Sequence, residues 1–200
     1  MRLVINRLTS IRSGRPVFSE LALRVEQGEA LTVMGPNGAG KSSLLRIIAG
    51  LLPPSSGTVS LEGVEADTPI AEEAHYLGHR DALKPALTPL ETLNFWQAML
   101  GRTLIAPMKA LERVGLAHAA PFPSAYLSAG QRRRLALARL LVAHRPLWLL
   151  DEPTAALDAA SEAMFSALVV EHLASGGLAV VATHAPLAFP SRTLTLGAKA

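Results

Sequence analysis

Apolar positions along the 200 residues fall into three textures. Residues 1 to about 62 carry short strand-like runs, Leu3-Val4-Ile5, Val17-Phe18 and Thr58-Val59-Ser60-Leu61, punctuated by turns such as Gln27-Gly28-Glu29. Leu21, Leu23 and Val25 alternate with polar neighbours, the period of a half-buried antiparallel strand. From about 82 to 140 the pattern reads as helical. Thr88-Pro89-Leu90-Glu91 predicts a helix start, with Thr88 as cap, Pro89 at the first helical position and Glu91 closing a capping box. Leu93, Trp96 and Leu100 continue that helix. A second covers Met108 to Val114 and stops at Gly115, and Pro121-Phe122-Pro123 breaks the pattern. Beyond 131 helices and strands alternate. A long helix from near Gln131 spaces Leu135, Ala138, Leu141 and Val142 on one face, and another runs from about Asp158 to Ala174. Leu147-Trp148-Leu149-Leu150 and Leu178 to Thr183 are apolar nearly throughout, as in parallel strands covered on both faces.

Between the strand-like Ala30-Met34 and the helix-like Ser43-Ala49 lies Gly35-Pro36-Asn37-Gly38-Ala39-Gly40-Lys41-Ser42, which fills every fixed position of G-x-x-x-x-G-K-[ST]. Its glycines let backbone N–H groups converge on phosphate oxygens, with Ala39 and Asn37 between them. Lys41 reaches toward β- and γ-phosphates, the Ser42 hydroxyl suits the shell of Mg²⁺, and Ser43 opens a helix whose positive end faces the anion. Strand, loop and helix in this order predict a nucleoside triphosphate site. A second apolar strand ends in Asp151-Glu152. Ligands of parallel sheets sit at the carboxyl ends of strands, so Asp151 is the candidate Mg²⁺ carboxylate and Glu152 the candidate base for an attacking water. Taken alone, Asp-Glu before Pro153 is an ordinary turn; the phosphate loop upstream gives it a role.

Composition narrows the surroundings. Half the residues are hydrophobic and 18% charged, the balance of a globular chain. No run reaches the ~18 uncharged apolar residues that span a bilayer, because Arg139, His144, Arg145 and Pro146 interrupt the most apolar stretch, Leu135 to Leu150. The first residues lack a signal-peptide pattern, so membrane contact is expected only from the cytoplasmic side through a partner. With no cysteine, disulfides and thiolate metal sites are excluded. The net charge of +3 is mild. Arg132-Arg133-Arg134 reads as a solvated helix face or a patch for an acidic partner, and without interleaved aromatics it is a poor nucleic-acid signature.

Leu127-Ser128-Ala129-Gly130-Gln131 precedes the Asp151 strand by about twenty residues, and Ala156-Leu157-Asp158 and Thr183-His184 follow it. Together with the phosphate loop these motifs resemble, in order and spacing, those of ABC-type ATPases, over the chain from Leu3 to about Leu196. The resemblance implies an α/β P-loop NTPase. It has a mixed-sheet core with an antiparallel β subdomain (about 1–80 and 141–200) and an inserted helical subdomain (about 81–140). It implies ATP and Mg²⁺ as cofactors and a head-to-tail dimer with a second copy. In that dimer Lys41 and Ser42 of one copy face Ser128, Gly130 and Gln131 of the other. His184 is implied to bond the γ-phosphate and hold Glu152 and water, and Asp158 to organise the dimer interface.

Two departures from the family pattern stand out. No aromatic precedes the first hairpin, where the family stacks one on adenine; Arg12 offers a guanidinium plane instead. The loop Tyr76-Leu77-Gly78-His79-Arg80-Asp81 has His79 or Arg80 in place of the usual glutamine, so it is expected to serve coupling more than metal binding. Within the family, that loop, Leu87-Thr88-Pro89-Leu90-Glu91-Thr92-Leu93 and Arg15-Pro16-Val17-Phe18-Ser19-Glu20-Leu21 look most like the branch serving bacterial cytochrome c maturation. That branch implies an integral membrane permease and haem-handling maturation proteins as partners, at the cytoplasmic face of the cell membrane. The scattered His75 and His79 give no independent case for haem binding. Three rivals share the fold: the ATPase subunit of another small ABC exporter; a nucleic-acid machine, whose coiled-coil or zinc insertions are absent here; and a non-hydrolysing ATP sensor, disfavoured by Asp151, Glu152 and His184.

Overall fold

The computed structural model describes residues 1–65 and 67–197. The antiparallel strands β1 (Arg2–Arg12) and β2 (Arg15–Glu26) form a hairpin far longer than the apolar Leu3-Val4-Ile5 predicts, because register shifts after Ile5 and Leu8 let polar residues continue the pairing. β3 (Ala30–Met34) leads into α1 (Lys41–Ile48), and β4 (Ser56–Glu62) returns to pair with β1, giving a three-stranded sheet in the order β2-β1-β4. A single turn, α2 (Ile70–Glu73), and β5 (Ala74–Leu77) follow. A helical block comes next: α3 (Pro89–Leu100), α4 (Pro107–Arg113) and α5 (Ala129–Val142). β6 (Leu147–Asp151), α6 (Ala159–Ala174), β7 (Leu178–Ala182) and β8 (Arg192–Thr195) complete the chain.

The mixed sheet inferred from the family resolves into two sheets. The antiparallel strands stand apart, and the five-stranded core sheet, ordered β5-β6-β7-β3-β8, is parallel in every described pairing. β6 and β7 are buried along their whole length. Their side chains alternate between two cores. Leu147, Leu149, Leu178 and Val180 join Leu31, Val33 and the apolar face of α1, while Trp148, Leu150, Ala179 and Val181 join α5 and α6 on the other side. Burying a strand from both faces requires apolar residues at both phases, which is why these two runs show no alternation in sequence.

Several local expectations need correction. Residues 82–88 are not helical; α3 begins at Pro89 behind the Thr88–Glu91 capping box, with both reciprocal hydrogen bonds formed. The helix anticipated from Gln131 begins two residues earlier, at Ala129, because Ser128 is its cap. Tyr76 and Leu77 belong to β5 rather than to a loop, paired with Leu149 and Leu150. Among the described residues no helix is long and apolar enough to cross a membrane.

Candidate active site

The carboxyl ends of β3, β5, β6 and β7 open on one cleft of about 470 Å³, within the range of small-ligand sites. The phosphate loop forms its floor. Gly40 adopts φ 97° as the residue before α1, a left-handed conformation open to glycine at no steric cost, and a Cβ there would collide with Val17. No side chain caps α1, so its first-turn N–H groups are free to meet an anion. Lys41 is 8% exposed, and its Nζ donates to the carbonyls of Gly35 at 2.6 Å and Pro36 at 3.2 Å, holding the cation across the loop. Asn37, Gly38, Ser42 and Ser43 also line the cleft. Gly35 and Ala39 do not; they form the back of the loop, with Gly35 against the Leu196 carbonyl and Ala39 packed on the apolar core. Arg12 lines the cleft at the end of β1, beside Val17.

Asp151 and Glu152 face this floor with different environments. Asp151 is 2% exposed, and its Oδ2 is buried without a hydrogen-bond partner. A buried anionic oxygen with no donor is costly unless a cation or water meets it. Among the described residues no group of three or more His, Asp or Glu side chains forms a metal cage. One carboxylate beside a phosphate site is nevertheless the ordinary provision for Mg²⁺. Glu152 takes a left-handed backbone, φ 48°, fixed by its N–H donating to the Ala182 carbonyl at 2.8 Å. That turn points its carboxylate at the next strand end, where Thr183 Oγ1 donates to it at 3.3 Å and His184 Nδ1 lies 3.0 Å away. Thr183 is fully buried and anchored to the Val33 carbonyl; the His184 side chain is mostly exposed.

Ser128, Gly130 and Gln131 stand outside this cleft, at the N-terminus of α5. Gln131 N donates to Ser128 Oγ at 3.1 Å and Ser128 N to Gln131 Oε1 at 2.8 Å, a capping box that leaves the serine hydroxyl proton free to donate elsewhere. Asp158 likewise caps α6 through Ser161 N at 2.8 Å. His79 lines this cleft and also a smaller recess of about 190 Å³ that reaches Ala129 and Arg132.

Sequence reasoning missed the arginines behind the site. Arg133, read as part of a solvated face, is 3% exposed and bonds the carbonyls of Asp151 and Glu152. Its helical phase with Leu137 and Leu140 carries the signal of burial. Arg46 also lines the cleft, one turn beyond Ser42; the hydrogen bond from its Nε to the Tyr76 hydroxyl (3.4 Å), and that group's charge, raise its pKa. Arg139 lies over Trp96 at 4.5 Å and donates to the Tyr76 carbonyl; burial, helped by the charge of Arg133, lowers it to about 10.

A phosphate loop, an orphaned strand-end aspartate and a glutamate–histidine pair around one cleft define an ATP-hydrolysing domain, and the chain belongs to the ABC transporter family, which matches it over residues 18–155. It binds and hydrolyses ATP as an ABC ATPase. More particularly, it is 57% identical over all 200 residues to the cytochrome c biogenesis ATP-binding export protein CcmA of Rhodopseudomonas palustris strain HaA2, and 54% identical to that of Nitrobacter winogradskyi, each covered in full. Among solved structures it resembles an ABC transporter ATP-binding protein from Pyrococcus furiosus (25% identity, TM-score 0.85, 98% of each chain). It also resembles an ATP-binding cassette solved as a dimer in a post-hydrolysis state with ADP and Pi (26% identity, TM-score 0.81, 97% of this chain and 94% of that one).

Proposed function

We propose that this chain is the ATPase subunit of a cytochrome c maturation export system. In this reading two copies close head to tail on ATP and drive a separate integral membrane permease from the cytoplasmic face of the membrane. The naming of the full-length relatives supports the system. The single observation carrying the mechanism is the division of the site: the phosphate floor and both carboxylates share one cleft, while Ser128 presents a free hydroxyl proton on the outer face.

Within this reading Lys41 and the α1 N-terminus bind phosphates, and Ser128, Gly130 and Gln131 of a second copy complete the γ-phosphate shell. Glu152 takes a proton from the attacking water, and His184, against its carboxylate, keeps that group and the water in line. Thr183 adds a second anchor to the same carboxylate. Ser42 and Asp151 would hold Mg²⁺, which neutralises developing phosphate charge when bound. Arg12 lies flat against the base. The His79-Arg80 loop answers to the permease, and residues 81–140 act as the lobe that meets it. Haem-handling maturation proteins are the further partners, and no nucleic acid is involved.

Glu152→Gln tests the core of this assignment. The variant retains ATP binding, loses about 10²-fold or more of its turnover, and accumulates as an ATP-dependent dimer by light scattering. Wild-type turnover in that variant removes Glu152 from its role. Co-purification of the permease from solubilised membranes, with identification of its bound cargo, tests the system.

A further inference from the structure

Arg133 sits in the second turn of α5, the helix that Ser128 caps. Its guanidinium faces two structures at once. Toward the end of β6, Nε donates to the Pro153 carbonyl at 3.0 Å, and Nη2 to the carbonyls of Asp151 at 2.9 Å and Glu152 at 2.6 Å. Toward the loop after β5, Nη1 donates to the Gly78 carbonyl at 3.1 Å and to Asp81 Oδ1 at 2.9 Å. Asp81 is the one carboxylate among these acceptors, and its side chain is 24% exposed. Gly78 and Asp81 bracket His79 and Arg80, and His79 reaches the nucleotide cleft. Three consecutive carbonyls are gripped on the other side, with Glu152 the left-handed residue in the middle. Its amide is fixed by Ala182 and its carbonyl by Arg133, so both peptide planes around the strained residue are held.

We infer that Arg133 is a positioning residue for hydrolysis, a rigid link that carries the placement of the His79 loop to the backbone of Glu152. The inference rests on Glu152 acting as the base. None of the Arg133 acceptors belongs to the phosphate loop, whose lysine is held by its own carbonyls. Displacing the loop therefore moves the base and leaves the phosphate loop in place. A planar fork is needed for this; an ammonium at the same position cannot serve the two sides together.

Four variants of the full chain test it, with nucleotide affinity and binding stoichiometry measured by a fluorescent ATP analogue beside steady-state hydrolysis of MgATP. Arg133→Gln and Arg133→Lys both lower kcat by about tenfold or more, while affinity and stoichiometry stay within about twofold of wild type. Asp81→Asn keeps an acceptor but removes the charge and lowers kcat about threefold, again without changing affinity. The double variant Asp81→Asn/Arg133→Gln is no slower than Arg133→Gln alone, as for two groups acting through one link. The inference is overturned by wild-type kcat in folded Arg133→Gln, by full activity in Arg133→Lys, or by stoichiometry falling in step with kcat, the mark of a mere scaffold. Should the Arg133 variants not fold, Asp81→Asn decides alone, and an unaltered kcat there overturns it. Glu152→Gln assayed in parallel separates the premise: wild-type turnover in that variant defeats the base assignment whatever Arg133 does.

Discussion

Two buried imidazoles make the fold sensitive to mild acid. His75, on β5, is 3% exposed with Nε2 at 2.9 Å from the Ala143 carbonyl. Burial lowers its pKa from 6.5 to about 3, with the charges of Arg139, Arg145 and His172 acting the same way. His172, on α6, lies flat on Trp148 with ring centroids 3.9 Å apart and planes 9° from parallel. Its Nε2 is within 3.1 Å of the Pro146 carbonyl, and burial lowers it to about 4. Both groups are depressed histidines, so the native state keeps them neutral while the unfolded chain protonates them below 6.5. Their contribution is intact above pH 6.5 and is lost as pH falls toward 4 and 3. At pH 5 each ring lies 1.5 units below its unfolded pKa of 6.5, a loss of about 2 kcal/mol each and about 4 kcal/mol together. Against a typical total of ~5–15 kcal/mol this is a large fraction. The depressed carboxylates Glu91, Asp158 and Glu171 lose their contributions only below their unfolded values of 3.8 to 4.5, outside the window.

Urea unfolding at pH 7.5 and pH 5.0, followed by far-ultraviolet circular dichroism, measures the loss. His75→Gln supplies the control: a carboxamide N–H still donates to Ala143 but does not titrate. Its cost at pH 7.5 is about 1 kcal/mol or less, and the loss between the two pH values falls to about half that of the wild type. A wild-type loss under about 1 kcal/mol, or an identical loss in His75→Gln, refutes the reasoning.

Other substitutions address the cleft. Asp151→Asn weakens ATP binding in the presence of Mg²⁺ by about tenfold or more while leaving metal-free ATP binding unchanged; equal losses in both titrations contradict the metal role. Arg12→Ala weakens ATP and GTP binding alike by roughly 2- to 30-fold, the range of a cation–π contact of about 0.5–2 kcal/mol, and Arg12→Tyr restores it. Unaltered affinity in Arg12→Ala places the base elsewhere.

What the sequence makes legible follows from how local each signal is. The phosphate loop is a short-range device, in which glycine spacing, lysine and hydroxyl all fall within eight residues. β6 and β7 declare themselves because burial on both faces leaves no polar position. β5 does not, being four residues long with a histidine in it. Its extended form comes from register with β6, where His75 opposes Trp148, and the ring's polarity is met by a carbonyl 68 residues away. β8 is polar and largely exposed, so its pairing with β3 has no hydrophobic signature. The same holds within the site. Asp151 and Glu152 look alike in sequence, but only pairing across the sheet decides that one keeps a buried oxygen without a donor and the other gains Thr183 and His184.

The arginines show why the chain's excess of base is a poor guide to partners. Arg132 donates to the Leu127 carbonyl, Arg134 to Val114, Arg139 to Tyr76 and Arg145 to Leu100. These acceptors lie on β5, at the ends of α3 and α4 and just before α5, where several carbonyls lack a partner from the ladder or helix. A guanidinium meets such oxygens with several donors from one stem and keeps its charge when buried. The positive charge of α5 is thus directed largely inward, and a polyanion would find little of Arg133 or Arg139 to bind. Each charge-assisted bond to a carbonyl is worth about 1.5–3 kcal/mol, so sliding α5 past the ends of β5 and β6 has to break several at once. In the proposed reading, the block is tied to the backbone of Glu152 through Arg133 and to β5 through Arg139.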